Sequence, residues 1–183
     1  MKLPIYAYGH PILKRVASPV GEMTEDIGNL IENMWETMYH ASGVGLAAPQ
    51  VGKSIRIFVV DTIQLKDEEK SINGIKKVFI NPKKIEEAGD EFPYEEGCLS
   101  IPEIRADVNR RKRIKLTYLD ENFVEYTEVF EGTNARVIQH EYDHLEGILF
   151  IEKINPLKRN LLRRKLNKIR KGNVNVDYDM HFV

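Results

Sequence analysis

The chain has 183 residues, 42% of them hydrophobic and 30% charged, with a formal net charge of −1 at pH 7. That length suits one domain, residues 1–183, around a single sizeable core, and near-neutrality excludes a global electrostatic pull toward nucleic acid or membrane. A single cysteine excludes an intrachain disulfide framework and fits a reducing cytoplasm, where a lone thiol stays available as ligand or nucleophile. The start, MKLPIYAYGHPILKRV, breaks its apolar residues with prolines, a glycine and charges, so it lacks the continuous hydrophobic segment of a secretory signal, and no stretch approaches membrane-spanning length. A cytoplasmic protein is expected.

In chain order, Thr24 with Glu25 and Asp26 marks a helix start, and Ile27, Leu30, Ile31, Met34 and Met38 recur at helical spacing until Ser42-Gly43 stops the run. After GVGLAAPQVG, the run IRIFVVD (55–61) reads as a buried strand, followed by a charged loop around KDEEKSING and a short strand in KVFINP. RIKLTYLD and FVEYTEVFEG flank Asp120-Glu121-Asn122 and predict an antiparallel hairpin. A helix from Thr133 or Asn134 to Gly147 and a last one over about residues 156–171 complete the set. This mixture predicts an α+β fold, with small antiparallel or mixed sheets packed around a central helix, rather than a doubly wound sheet.

The central helix contains QHEYDH. Residues four apart share a helix face, so His140 and His144 can bind one ion, and Glu141 beside them can reach a water on that ion without being a ligand. The bare motif also fits two surface histidines; Val137, Ile138, Leu145 and Ile148 argue for burial. Phe150 stands where the long zinc-protease pattern has its third histidine, which disfavours that class, and Glu152 falls past the helix end. Cys98, in YEEGCLSIPEIR, is either an inert core thiol or the third ligand; a thiolate with two imidazoles leaves a tetrahedral site one open position, the arrangement of a catalytic ion. Gly97 before it lets the backbone take a tight conformation. In GVGLAAPQ the glycine pattern lacks the preceding strand and following helix of a dinucleotide site. It is either a helix stop with a turn, or a place where Gly43 and Gly45 let backbone pass close to a substrate and Gln50 offers an amide donor to a developing oxyanion.

GVGLAAPQ, EGCLS and QHEYDH, in this order and separation, resemble the three signature motifs of the peptide deformylases, and the resemblance extends through NP at 81–82, SIPE and HLEGILF over nearly the whole chain. It implies an iron-dependent bacterial hydrolase that removes the formyl group from formyl-methionyl nascent chains, releasing formate. By resemblance, Cys98, His140 and His144 hold Fe2+, with Zn2+, Ni2+ or Co2+ as substitutes, and Glu141 is the acid/base. Gln50 and the Leu99 N–H would polarise the formyl oxygen, while Gly43, Val44, Gly45, Gly97, Arg105 and Val137 would contact the substrate. Two residues bear on the shape of the methionine pocket: Tyr142, where many members carry an aliphatic side chain, and Arg136, which makes the start of the helix more polar than is common. The resemblance also includes a ribosome-docking C-terminal helix. Here Leu157, Leu161, Leu162, Leu166 and Ile169 would form its buried stripe, with Lys158, Arg159, Arg163, Arg164, Lys165, Lys168, Arg170 and Lys171 on the remaining surface. A zinc peptidase leaves Gln50 and Cys98 unexplained, and a non-catalytic RNA-binding module leaves the metal-type cluster unexplained.

Overall fold

In the computed structural model, which describes residues 1–183, the first helix, α1 (Glu25–His40), forms where its periodicity predicts. The Thr24 hydroxyl accepts from the Ile27 N–H at 3.3 Å, capping the helix, and Leu30, Ile31, Met34 and Met38 are buried. The strands β2 (Gly45–Ala47), β3 (Ile57–Asp61), β4 (Lys76–Cys98), β5 (Ile101–Leu119) and β6 (Glu125–Glu131) form one antiparallel sheet in that spatial order. A second, two-stranded sheet pairs β1 (Ile5–Tyr6) in parallel with β7 (Met180–His181). The class is α+β with mixed sheets, as expected.

The predicted short strand in KVFINP is the first part of something much longer. β4 spans 23 residues and β5 spans 19, so the two make a hairpin whose turn is only Leu99-Ser100. The stretch KKIEEAGDEFPYEE has the charges and the Gly and Pro residues of a loop. It is a strand because β5 pairs with it from Lys83 to Gly97; β3 pairs with β4 only as far as Ile80, so beyond that the other side of β4 is an edge on which Lys83, Lys84, Glu86 and Glu87 face water and discourage strand addition. Register shifts at four places along β4–β5 bend the hairpin, one of them beside Gly89 with φ at +80°. β5 and β6 form the predicted hairpin, with Ile114 opposite Phe130.

The central helix, α2 (Gly132–Leu145), lies on the sheet and buries Ala135, Ile138 and Leu145 with Phe58, Phe79, Ile114 and Leu116. Gly147, expected as its last residue, lies just past it with φ at +69°. A Cβ at Gly147 would sit 2.6 Å from the Lys14 carbonyl oxygen, so both the backbone angle and the space demand glycine. Gly97 is different: its φ is not left-handed, and what its missing side chain provides is room beside Arg105, whose Nη1 would lie 3.1 Å from a Cβ there.

The last helix, α3 (Pro156–Arg170), is capped by Asn155 and begins with proline, but its leucine stripe is only half used. Leu166 and Ile169 are buried against Ile101, Ile104, Val108 and the segment Leu149–Ile154, Leu162 is half-buried, and Leu157 and Leu161 are 76% and 82% exposed. The expected five-residue stripe is therefore corrected to Leu162, Leu166 and Ile169, because only the second half of the helix packs on this cluster. Leu166→Ala is expected to destabilise the fold by about 2–5 kcal/mol, whereas Leu161→Ala stays within about 0.5 kcal/mol, as read from urea unfolding midpoints at unchanged slope.

Candidate metal centre

Two elements converge on one cluster. α2 presents His140 and His144 on one face with ring centroids 5.1 Å apart, and Cys98 reaches them from the end of β4. Cys98 Sγ and His144 Nε2 are 3.4 Å apart, and the ligand atoms of Cys98, His140 and His144 all lie within 4.8 Å of one another. Bonds of ~2.3 Å to sulfur and ~2.05 Å to nitrogen at a tetrahedral angle put sulfur and nitrogen about 3.5 Å apart, so these residues fit a tetrahedral cation. Both histidines are nearly inaccessible, at 9% and 2% relative exposure. Phe150 packs on the His140 ring at 5.9 Å, and Glu152 lies away from the cluster, bonded to Lys14 and to the Leu149 N–H.

Behind the cluster is a buried ionic network built on Glu96. His140 Nδ1 lies 2.8 Å from Glu96 Oε1; an ionised carboxylate only accepts, so Nδ1 carries a proton, and in the neutral ring it is Nε2 that has the lone pair. Arg110 donates to Glu96 through Nε at 2.7 Å and Nη2 at 3.0 Å, and through Nη1 to Asp143 at 2.8 Å. Arg136 donates from Nη1 to Glu96 at 2.9 Å and to the Val108 carbonyl, and from Nη2 to the Phe92 carbonyl. Burial opposes the charge on Glu96, but its bonds with His140 and Arg110 win and hold the carboxyl well below the usual range. Arg136 is thus buried in this network and also lies over the Phe92 ring. Tyr142 is half-buried, its hydroxyl accepting from the Lys84 N–H at 3.3 Å, with Arg56 and Lys84 against its ring.

Glu141 faces the other way. Burial pushes its carboxyl up to about 7, and its Oε2 is buried without a protein partner. A Cβ on Gly45 would stand 2.5 Å from Glu141 Oε1, so β2 can pass this carboxylate only as glycine. One at Gly43 would lie 2.8 Å from the Leu99 side chain. Gln50 is buried in the short turn Ala48–Val51: its Oε1 accepts from the Ala47 N–H at 3.0 Å, and its Nε2 points at Ser100 Oγ, 3.1 Å away, and Cys98 Sγ, 3.5 Å away.

Gly43, Val44, Gly45, Gln50, Gly97, Cys98, Leu99, Arg105, Val137, His140 and Glu141 all line one cleft of about 840 Å³, with His144 behind its wall. Arg105 is at the rim, paired with Glu95 at 2.9 Å. Sequence reasoning missed Glu96, Ser100, Arg110 and Asp143. Glu96 had a signal, since residues two apart on a strand share a face and Glu96 stands two before Cys98. Arg110 had none, being one of several basic residues in NRRKRIK.

The model of the family described as "Polypeptide deformylase" matches residues 2–160. A peptide deformylase of Christiangramia forsetii is 51% identical over 189 aligned positions, covering 100% of this chain and 96% of that protein, and one of Flavobacterium johnsoniae is 49% identical with the same coverage. Among solved structures, a peptide deformylase from Legionella pneumophila superposes with a TM-score of 0.82 at 36% identity, covering 94% of this chain and 98% of that one. One from Thermotoga maritima gives 0.75 at 42% identity, over 85% of this chain and 99% of that one. With this full-length similarity added to a Cys-His-His cluster at the floor of a cleft, the chain belongs to the peptide deformylases, a family of metal-dependent hydrolases.

Proposed function

We propose that the chain, acting as one domain in the cytoplasm, hydrolyses the N-terminal formyl group of formyl-methionyl nascent peptides. The observation that carries this is the unpartnered Glu141 carboxylate oxygen beside the Cys98–His140–His144 cluster, with Gly45 shaved to hydrogen next to it. Cys98 Sγ and the Nε2 atoms of His140 and His144 would hold a divalent cation, Fe2+ with Zn2+, Ni2+ or Co2+ as substitutes, which would serve as the Lewis acid for the formyl carbonyl and acidify water. Glu141 takes the proton of the attacking water and returns it to the departing amine. As the formyl oxygen gains charge, the Gln50 amide and the Leu99 N–H donate to it; Gln50 can do so because its oxygen is committed to Ala47 and its nitrogen therefore faces the cleft. The methionine side chain lies between Val44 and Val137, Gly43, Gly45 and Gly97 let the peptide backbone come close, and Arg105 meets residues further along. The products are formate and a free N-terminal amine.

The exposed part of α3 supports a location for this activity. Leu157 and Leu161 stand uncovered among Lys158, Arg159, Arg163, Arg164 and Lys165, which suits docking on RNA phosphates near the ribosomal exit tunnel. No helix is long and apolar enough to cross a membrane.

The primary test is anaerobic measurement of formate released from a formyl-methionyl peptide, with metal content determined on the same sample. Glu141→Gln keeps the parent's metal content and loses about 10²–10⁴-fold in kcat, because the carboxylate moves protons and does not ligate; near-parental turnover would refute its role. Cys98→Ser lowers both metal affinity and activity, since a hydroxyl deprotonates far less readily than a thiol, and undiminished metal binding on dialysis would remove Cys98 from the ligand set. Reversing Arg163, Arg164 and Lys168 to glutamate is expected to reduce co-sedimentation with ribosomes at low salt while leaving turnover of a short free peptide unchanged; equal co-sedimentation would leave α3 as a structural cap.

A further inference from the structure

Beyond α3 the sequence NVNVDYDMHF alternates: Val174, Val176, Tyr178, Met180 and Phe182 are half-buried, and most of the residues between them are exposed. This is the burial of an extended segment laid on a surface with one face down. The segment is anchored at both ends. At one, β7 pairs with β1, where the N–H groups of Ile5 and Ala7 donate to the carbonyls of Asp179 and His181, both at 2.9 Å. At the other, the Asn175 N–H donates to Glu103 Oε1 at 3.3 Å. Between the anchors, residues 175–178 form part of the wall of the cleft that contains Cys98 and Glu141. The family model ends at residue 160, so this wall lies outside the region that the model describes.

One side chain of the segment acts on the hairpin turn itself. The Tyr178 hydroxyl donates to the Leu99 carbonyl at 2.8 Å. The next residue, Ser100, is held from elsewhere: its hydroxyl accepts from Gln50 Nε2 at 3.1 Å and its carbonyl from the Tyr8 N–H at 2.8 Å. The Leu99 N–H belongs to the peptide that follows Cys98, which is held in β4 and paired with Ile101, so once Tyr178 fixes the Leu99 carbonyl on the other side both flanks of Leu99 are anchored and its N–H has little freedom to turn. An oxyanion donor is effective only at about 2.7–3.1 Å from the oxygen it serves, so a small rotation here matters.

We propose that Tyr178 is a positioning residue of the cleft: by holding the Leu99 carbonyl from the C-terminal segment, it aims the Leu99 N–H at the substrate oxygen that gains charge during hydrolysis. This rests on the deformylase reading, in which that N–H is a donor. An interaction that tightens in the transition state is expressed in kcat rather than KM. The test is Tyr178→Phe, which keeps the ring and its packing and removes only the hydroxyl. Steady-state kinetics on a formyl-methionyl tripeptide, metal content and Tm are measured on the parent and the variant. Expected is a fall in kcat of about tenfold, smaller than the loss of a whole donor, with KM within about twofold and metal content and Tm as in the parent. Unchanged kcat overturns the proposal, as does a kcat loss that follows a fall in Tm or metal content, which would make Tyr178 a structural prop. If the parent itself releases no formate, the deformylase reading falls and this proposal with it; an active parent beside a fully active Tyr178→Phe sinks this proposal alone.

Discussion

The fold turns on the burial of one carboxylate. Glu96 carries its charge into the interior, which is tolerable only because Arg110, Arg136 and His140 all donate to it. Those partners come from β5 and α2, while Glu96 itself is on β4, so the same bonds that neutralise the charge also fix the hairpin to the helix. Cys98 follows Glu96 by two residues and therefore arrives where the histidines are. Removing either arginine would leave buried charge uncompensated, so the geometry of the cluster and the packing of helix on sheet cannot be varied independently.

The open side of the cluster is governed by volume rather than charge. Glu141 points its free oxygen into a space that exists because β2 has no side chain at Gly45, and Leu99 occupies the space that Gly43 leaves. Gln50 adds a fixed direction: a neutral amide can be turned either way, but the Ala47 N–H claims its oxygen, and the nitrogen must then face Ser100 and Cys98. The Gln50 amide and the Glu141 carboxylate are thus oriented by their neighbours.

What the sequence made legible followed from local geometry. His140 and His144 are one helical turn apart, so their shared face can be read without knowing the fold, and a single cysteine left few choices for a third group in their company. The α1 stripe was legible for the same reason. Contacts between distant segments were not. Arg110 meets Glu96 across the hairpin and Glu96 meets His140 across 44 positions, and nothing in either neighbourhood announces the pairing. The charged stretch in β4 read as loop because its exposed edge and its partner strand are properties of the sheet. The five leucine and isoleucine positions of α3 follow helical period, but period says which face is apolar, not how far along the helix a neighbour extends. The alternation in residues 173–182 was visible in the sequence; that Tyr178 ends at Leu99 was not.

The pairing of β1 with β7 has a consequence for the order in which the molecule is made. Ile5 and Tyr6 are made before every other strand and helix described here, and the strand they pair with, Met180-His181, after all of them. Domains fold as their residues leave the ribosome, at about 5–20 residues per second, and β1 has no partner while the elements between are made. The sheet, α2 and the Cys98–His140–His144 cluster can assemble first, since all their residues precede α3. The wall carrying Tyr178 closes only when β7 is free of the exit tunnel, so the molecule passes through a stage in which the Cys98–His140–His144 cluster is in place and its cleft is still unwalled on one side.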